Sequence, residues 1–131
     1  MGKAANSSIS LKQIHVTDNF WNKYVHLVKD VIIPYQWDIL NDKLEDVETS
    51  HCIENFKIAA GEKEGEFQGA EFQDTDVAKW LEAVGFVLNY ERDEKLEELA
   101  DETIELIGRA QQPDGYLNTY FTIKEPDGRW S

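Results

Sequence analysis

The stretch from Val77 to Leu88 is apolar around most of a helix. Val77, Trp80, Leu81, Val84, Val87 and Leu88 recur at helical spacing, and Ala78, Ala83, Gly85 and Phe86 widen the stripe. Such a helix has to be covered on more than one side. The polar connection "NYERDEK" follows, with Asp93 placed to cap a second helix. There Leu96, Leu99, Ala100, Thr103, Ile104, Ile107 and Ala110 form one stripe, opposite a solvated face of Glu94, Glu97, Glu98, Asp101, Glu102 and Glu105. Pro113 and Gly115 then break the pattern. Each helix should run about 16 residues, roughly 24 Å. A short connection makes antiparallel neighbours. The fold class this predicts is all-α, built from hairpins that pair an enclosed helix with an outer one.

The rest of the chain fits that class. "VTDNFW" reads as a helix start capped by Thr17 or Asp18, and Trp21, Tyr24, Val25, Val28, Val31, Ile32 and Tyr35 keep helical spacing behind it. Pro34 removes a backbone donor and crowds the carbonyl of Asp30, which predicts a kink or break before a second piece, "YQWDILND". "NDKLEDVETS" is a polar connector, and Ser50 is placed to cap a short helix from His51 to Ala60 that Gly61 closes. Residues 61–70 hold three glycines without periodicity and read as a loop. Residues 1–16 are polar and weakly alternating, an arm or a short strand. Residues 17–131 then form the helical unit.

Composition narrows the function. The chain has 131 residues, 26 acids against 13 bases, and a net charge of −13. That size suits one domain at most. The charge argues against nucleic acid and anionic membranes as partners, since both are polyanions. Cys52 is the only cysteine, so no internal disulfide can form, and no run approaches the roughly 20 apolar residues of a membrane span. The start has no apolar stretch of signal-peptide length, so the expected location is the cytoplasm.

"EFQDTDVAKW" raises the functional question. Its Gln73, Asp74 and Asp76 stand together at the threshold of the enclosed helix. In an antiparallel hairpin of matched helices, this segment and "QQPDGYLN" fall at the same end. Gln73, Asp74, Asp76, Gln111, Gln112, Asp114, Tyr116 and Asn118 then share a rim of amides, carboxylates and an aromatic, a mix that suits sugar hydroxyls and a ring face. The simpler reading is local. Asp74 would cap the helix near Thr75, Asp76 would face its dipole, and Pro113 and Gly115 would only shape a turn. Trp80 falls on the apolar stripe, and its buried indole N–H would need a partner. His51, Cys52 and Glu54 are metal-binding types at spacings that do not converge on one ion. The substrate-contacting candidates are Gln73, Asp74, Asp76, Trp80, Asp114, Tyr116 and Asn118, with no catalytic or metal-binding residue assigned.

Four segments together, "VIIPYQWDILND", "SHCIENFKIAAGE", "FQDTDVAKWLEAVGFVLNY" and "IGRAQQPDGYLNTYF", resemble the N-terminal part of the β-L-arabinofuranosidase-like glycoside hydrolases, family 127. The likeness runs from about Asp18 to Trp130. It implies a catalytic domain of the (α/α)6-barrel type, acting on L-arabinofuranosides with retention. The resemblance also implies a zinc-held cysteine thiolate as nucleophile and a glutamate as acid/base, both in motifs that would lie beyond "GRWS". Zinc is therefore expected of the full-length family enzyme and no cofactor of these residues. Six hairpins need roughly 210 residues at about 35 each, so this chain has room for about two. The expectation is part of a glycosidase domain, inactive alone. The alternative is a non-catalytic helical module that self-associates through uncovered helix faces, as a homo-oligomer, or binds sugar weakly.

Overall fold

The computed structural model describes residues 9–130; half of the N-terminal arm, residues 1–8, lies outside them. Six helices follow in order: α1 (Trp21–Leu27), α2 (Ile33–Leu40), α3 (Cys52–Ala59), α4 (Asp74–Tyr90), α5 (Glu94–Ala110) and α6 (Thr119–Ile123). There is no strand among the described residues. Where the alternation of "SISLKQIHV" suggests one, Leu11–Gln13 forms a single 3-10 turn.

The central hairpin is as the sequence predicts. α4 and α5 have 17 residues each. Asp93 caps α5, its side chain accepting from Lys95 N and Leu96 N. The buried face of α5 differs in detail. Leu106 is buried and Ile104 is exposed, so the working stripe is Leu96, Leu99, Thr103, Leu106 and Ala110, at strict three-four spacing. Thr103 sits in it without cost because its Oγ1 donates to the Leu99 carbonyl at 2.7 Å.

α1 and α2 are one continuous helical run, so of the kink or break expected at Pro34 the break does not occur. They are joined by a π turn, Val28–Ile32, in which Ile33 N reaches back to the Val28 carbonyl. One extra residue in that turn lets Pro34 begin α2 within the first positions, where a missing N–H costs nothing. α3 ends in a Schellman motif: Gly61 N donates to Ile58 O, Glu62 N to Lys57 O, and Gly61 has φ 73°. Ser50 contributes only a long contact to that helix's start, its Oγ accepting from Cys52 N at 3.4 Å.

The core lies where α2, α3, α4 and α5 meet, and holds Ile33, Leu40, Ile53, Phe56, Val77, Trp80, Val84 and Leu106. Trp80 is 2% exposed, its ring 4.5 Å from that of Trp37, and its Nε1–H donates to the Ile33 carbonyl at 3.1 Å. The buried indole thus has its partner on α2. α4 is enclosed on fewer sides than its composition predicts. Ala78, Gly85 and Phe86 face outward, and no described element covers them. No described helix is long and apolar enough to cross a membrane.

Trp80→Phe keeps an aromatic in the core but leaves the Ile33 carbonyl without its indole donor. The expected cost is about 1–3 kcal/mol. It would be read as a lower urea midpoint at unchanged slope.

Candidate functional site

α2 ends as α3 does, but with an aspartate in the glycine position. Asp42 N donates to Ile39 O, Lys43 N donates to Asp38 O, and Asp42 has φ 55°. The left-handed backbone aims its carboxylate at the start of α3. There it accepts from Ser50 N at 2.6 Å, from His51 N at 3.0 Å, and lies 3.1 Å from His51 Nδ1. One residue therefore closes one helix and holds the two residues that lead into the next. His51 itself has φ 57°, a conformation rare outside glycine, held by these bonds. Its Nε2 is the ring nitrogen left for another partner.

A second tie sets the opposite wall. Asn55, 1% exposed, donates Nδ2 to the Gln68 carbonyl and accepts from Gln68 N, pinning the loop between α3 and α4. Gly69 then takes φ 96°, and a Cβ there would stand 1.8 Å from Gln73 Oε1. That close approach lets Gln73 Oε1 accept from Ala70 N at 2.9 Å.

Between these walls lies a cleft of about 990 Å³. Gln36, Glu48, His51, Gln73, Asp76 and Lys79 are among its polar side chains, with Thr49 and Ser50 beside them, and Ile39, Phe72, Trp80 and Ala83 give apolar surface. Asp76 is ion-paired to Lys79 at 3.0 Å. A site that mixes amide, imidazole, carboxylate and aromatic groups offers both donors and acceptors to a hydroxyl-rich ligand.

Of the residues singled out in the sequence, Gln73, Asp76 and Trp80 line this cleft. Asp74 is not the cap of α4. Its carboxylate accepts from Thr119 N at 2.7 Å and Thr119 Oγ1 at 2.6 Å, 45 residues away. That bond does bring the two segments to one end of the hairpin, but it occupies Asp74 fully. Asp114, Tyr116 and Asn118 are not among the residues lining the cleft. Asp114 accepts from Tyr116 N and pairs with Arg129 at 3.3 Å. Tyr116 lies against Trp130, with the Arg129 guanidinium 4.5 Å over its ring. Asn118 caps α6, its Oδ1 accepting from Phe121 N. Sequence reasoning missed Gln36 and His51 as cleft residues. Gln36 had a signal, its place in "PYQW" before the end of a helix.

These residues do not suit a thiolate–zinc site. The described residues hold no group of three or more His, Cys, Asp or Glu side chains able to share an ion. The Cys52 thiol is pushed up to about 11 by burial and donates to the Gln73 carbonyl at 3.3 Å, so it is held neutral.

A family model described as "Beta-L-arabinofuranosidase, GH127 catalytic domain" matches residues 13–131. The chain belongs to the GH127 family. It is 40% identical over 130 residues to a non-reducing end beta-L-arabinofuranosidase of Bifidobacterium longum subsp. longum, covering 90% of this chain and 20% of that one. It also matches the crystal structure of a GH127 beta-L-arabinofuranosidase from Geobacillus stearothermophilus T6, at 62% identity and a TM-score of 0.88, over 90% of this chain and 19% of that one. A further solved GH127 beta-arabinofuranosidase is 31% identical with a TM-score of 0.76, over 89% and 18%. The chain thus spans about a fifth of the length of these GH127 relatives. The all-helical fold agrees with them, and the helices described here are those of a GH127 catalytic domain.

Burial raises the Asp74 carboxyl above the usual range, against the lowering effect of its two bonds from Thr119. A carboxyl whose pKa is higher in the folded state holds its proton more tightly there, so its ionisation opposes folding. Its contribution is fully present below the unfolded value, near 4, and is lost as pH rises through the folded value. Asp74→Asn should remove this dependence. The stability of the natural chain relative to that variant should fall as pH rises through the carboxylate range, read by urea unfolding of both across pH 3–7.

Proposed function

We propose that this chain supplies one wall of an arabinofuranoside pocket in a GH127 retaining glycoside hydrolase, and no catalytic group of its own. The observation that carries the reading is the cleft beside α4. It is built on segments that belong to a GH127 catalytic domain, and its relatives are β-L-arabinofuranosidases. A furanose presents hydroxyls on a small ring. Gln36 and Gln73 can each donate and accept, His51 Nε2 can do one or the other, and Phe72 offers an apolar edge for the ring's carbons. Asp42 and Asn55 act through His51 and the Gln73 loop, as positioning residues. The substrate candidates Asp74, Asp114, Tyr116 and Asn118 enter this reading as the frame of the hairpin end, not as sugar contacts.

The chemistry of hydrolysis lies elsewhere in this reading. Retention with two carboxyl-like groups needs a nucleophile and an acid/base about 5 Å apart across the scissile bond. Of the cleft's two carboxylates, Asp76 is ion-paired with Lys79 and Glu48 has no second acid placed across a bond from it, while the Cys52 thiol, outside the cleft lining, is buried and protonated. The zinc and the thiolate that the family resemblance implies would come from residues outside this chain.

Methyl β-L-arabinofuranoside titrated into the labelled chain should move the side-chain amides of Gln36 and Gln73 and the His51 ring, with an affinity of ~1 mM, roughly −4 kcal/mol. Gln73→Ala should abolish the response while α4 stays folded by circular dichroism. An aryl β-L-arabinofuranoside should not be turned over above background. Shifts confined to Asp114 and Tyr116, or hydrolysis by the pure chain, would overturn the assignment.

A further inference from the structure

The run α1–π turn–α2 has two apolar faces, and only one is used. Val28, Ile33 and Trp37 pack on the core, and Val25 lines the groove between α1 and α4. Trp21, Tyr24, Leu27, Val31 and Tyr35 are 61%, 41%, 43%, 54% and 50% exposed. Their spacings of three and four residues keep them on one line, so they form a seam about 14 residues long, roughly 20 Å. Beside it lies a groove of about 590 Å³ between the N-terminal turn, α1 and α4, walled by Leu11, Ile14, Trp21, Phe86 and Tyr90. Phe86, 58% exposed, continues the same surface on α4. Isolated exposed apolar residues need no explanation, but a stripe joined to an apolar groove does.

Charge sets this surface apart from the rest of the chain. Residues 1–37 carry four of the 13 bases and two of the 26 acids. Lys23 lies on the stripe, over the Phe20 and Tyr24 rings, while Lys29 is ion-paired to Glu91 and the outer face of α5 is a row of glutamates and aspartates. An acidic surface repels a second copy of a chain with net charge −13, and the α1 face is where that repulsion is weakest. Two occupants therefore compete: a second copy meeting it face to face, and further helices of a GH127 domain. The comparison favours the second. The same unit, at a TM-score of 0.88, makes up 19% of the Geobacillus relative. The larger part of that chain has to pack against it somewhere, and the stripe with its groove is a continuous apolar surface that the described residues leave open.

We propose that the Trp21–Tyr35 stripe and the groove beside it are a docking seam for the GH127 helices that lie outside these 131 residues, and that the chain accepts those helices even from a separate polypeptide. This rests on GH127 membership and not on sugar binding, so its test reads association alone.

The Geobacillus relative, with the region matching this chain deleted, would be co-expressed with tagged full-length chain. Light scattering of the co-purified material should show a one-to-one complex. Val31→Asp should weaken association at least tenfold while leaving the chain folded by circular dichroism. Ile104→Asp, an exposed apolar site on α5 outside the seam, should leave it unchanged. Three results would overturn the proposal. The deleted relative could stay insoluble with and without the chain. Val31→Asp and Ile104→Asp could act alike. Or the chain could form a homodimer that Val31→Asp dissolves and the relative does not displace, which would make the second copy the occupant.

Discussion

The indole of Trp80 holds the two halves of this molecule together. α4 is paired with α5 through a short turn, but α2 arrives from 40 residues earlier and has no such constraint. The Trp80 N–H on the Ile33 carbonyl, with the Trp37 ring stacked nearby, fixes where along α4 that helix sits. A buried amide or indole group without a partner costs about 1–3 kcal/mol, so the register has little freedom to slip. The position of α2 decides the rest. It sets where Asp42 ends that helix, and so where α3 begins. It also turns Gln36 toward α4 and leaves the other face of α1 outside.

Two aspartates carry work that a local reading of the chain assigns differently. Asp42 occupies a site where glycine is the easy choice, since αL geometry costs other residues roughly 1–2 kcal/mol. The carboxylate offsets that strain by accepting from Ser50 N and His51 N, the two residues just before α3. Asp74 stands where an N-cap would, yet it binds Thr119 across the hairpin end. The first turn of α4 is served instead by short turns of the loop: Thr75 N donates to Phe72 O and Asp76 N to Gln73 O. The polar residues of "FQDTD" are thus divided between a wall contact, a cross-hairpin tie and an ion pair.

The sequence makes the hairpin legible because periodicity over two 17-residue helices is a long signal, and Asp93 marks the turn between them. It also places "FQDTD" and "PDGYLN" at one end, as the Asp74–Thr119 bond requires. It fails where two partners of equal chemistry compete. Nothing local distinguishes an aspartate that caps its own helix from one that reaches a threonine 45 residues on. Pro34 is read as a kink or break because a straight α-helix cannot hold it there, and one π turn absorbs the misfit without ending the run. Ile104 and Leu106 differ by two positions, about 200° on a helix, and an amphipathic stripe with apolar residues at both leaves the exact facing to tertiary contacts. His51 is missed because its role depends on Asp42, and that tie appears only when the connector is folded.

The two open surfaces of the molecule lie along a single line of α4. Asp76, Lys79, Trp80 and Ala83 border the cleft, and Ala83, Phe86, Val87 and Tyr90 border the apolar groove. Ala83 belongs to both. One helix therefore offers a polar wall at its N-terminal half and an apolar one at its C-terminal half, with a small residue where they meet. This order follows from what each end must do. A ligand-binding rim needs unpaired donors and acceptors, which are costly to cover with protein. A seam against other helices needs the reverse. On the proposed docking, helices seated on the apolar half would share α4 with the cleft, and Ala83 is the residue where the two surfaces meet.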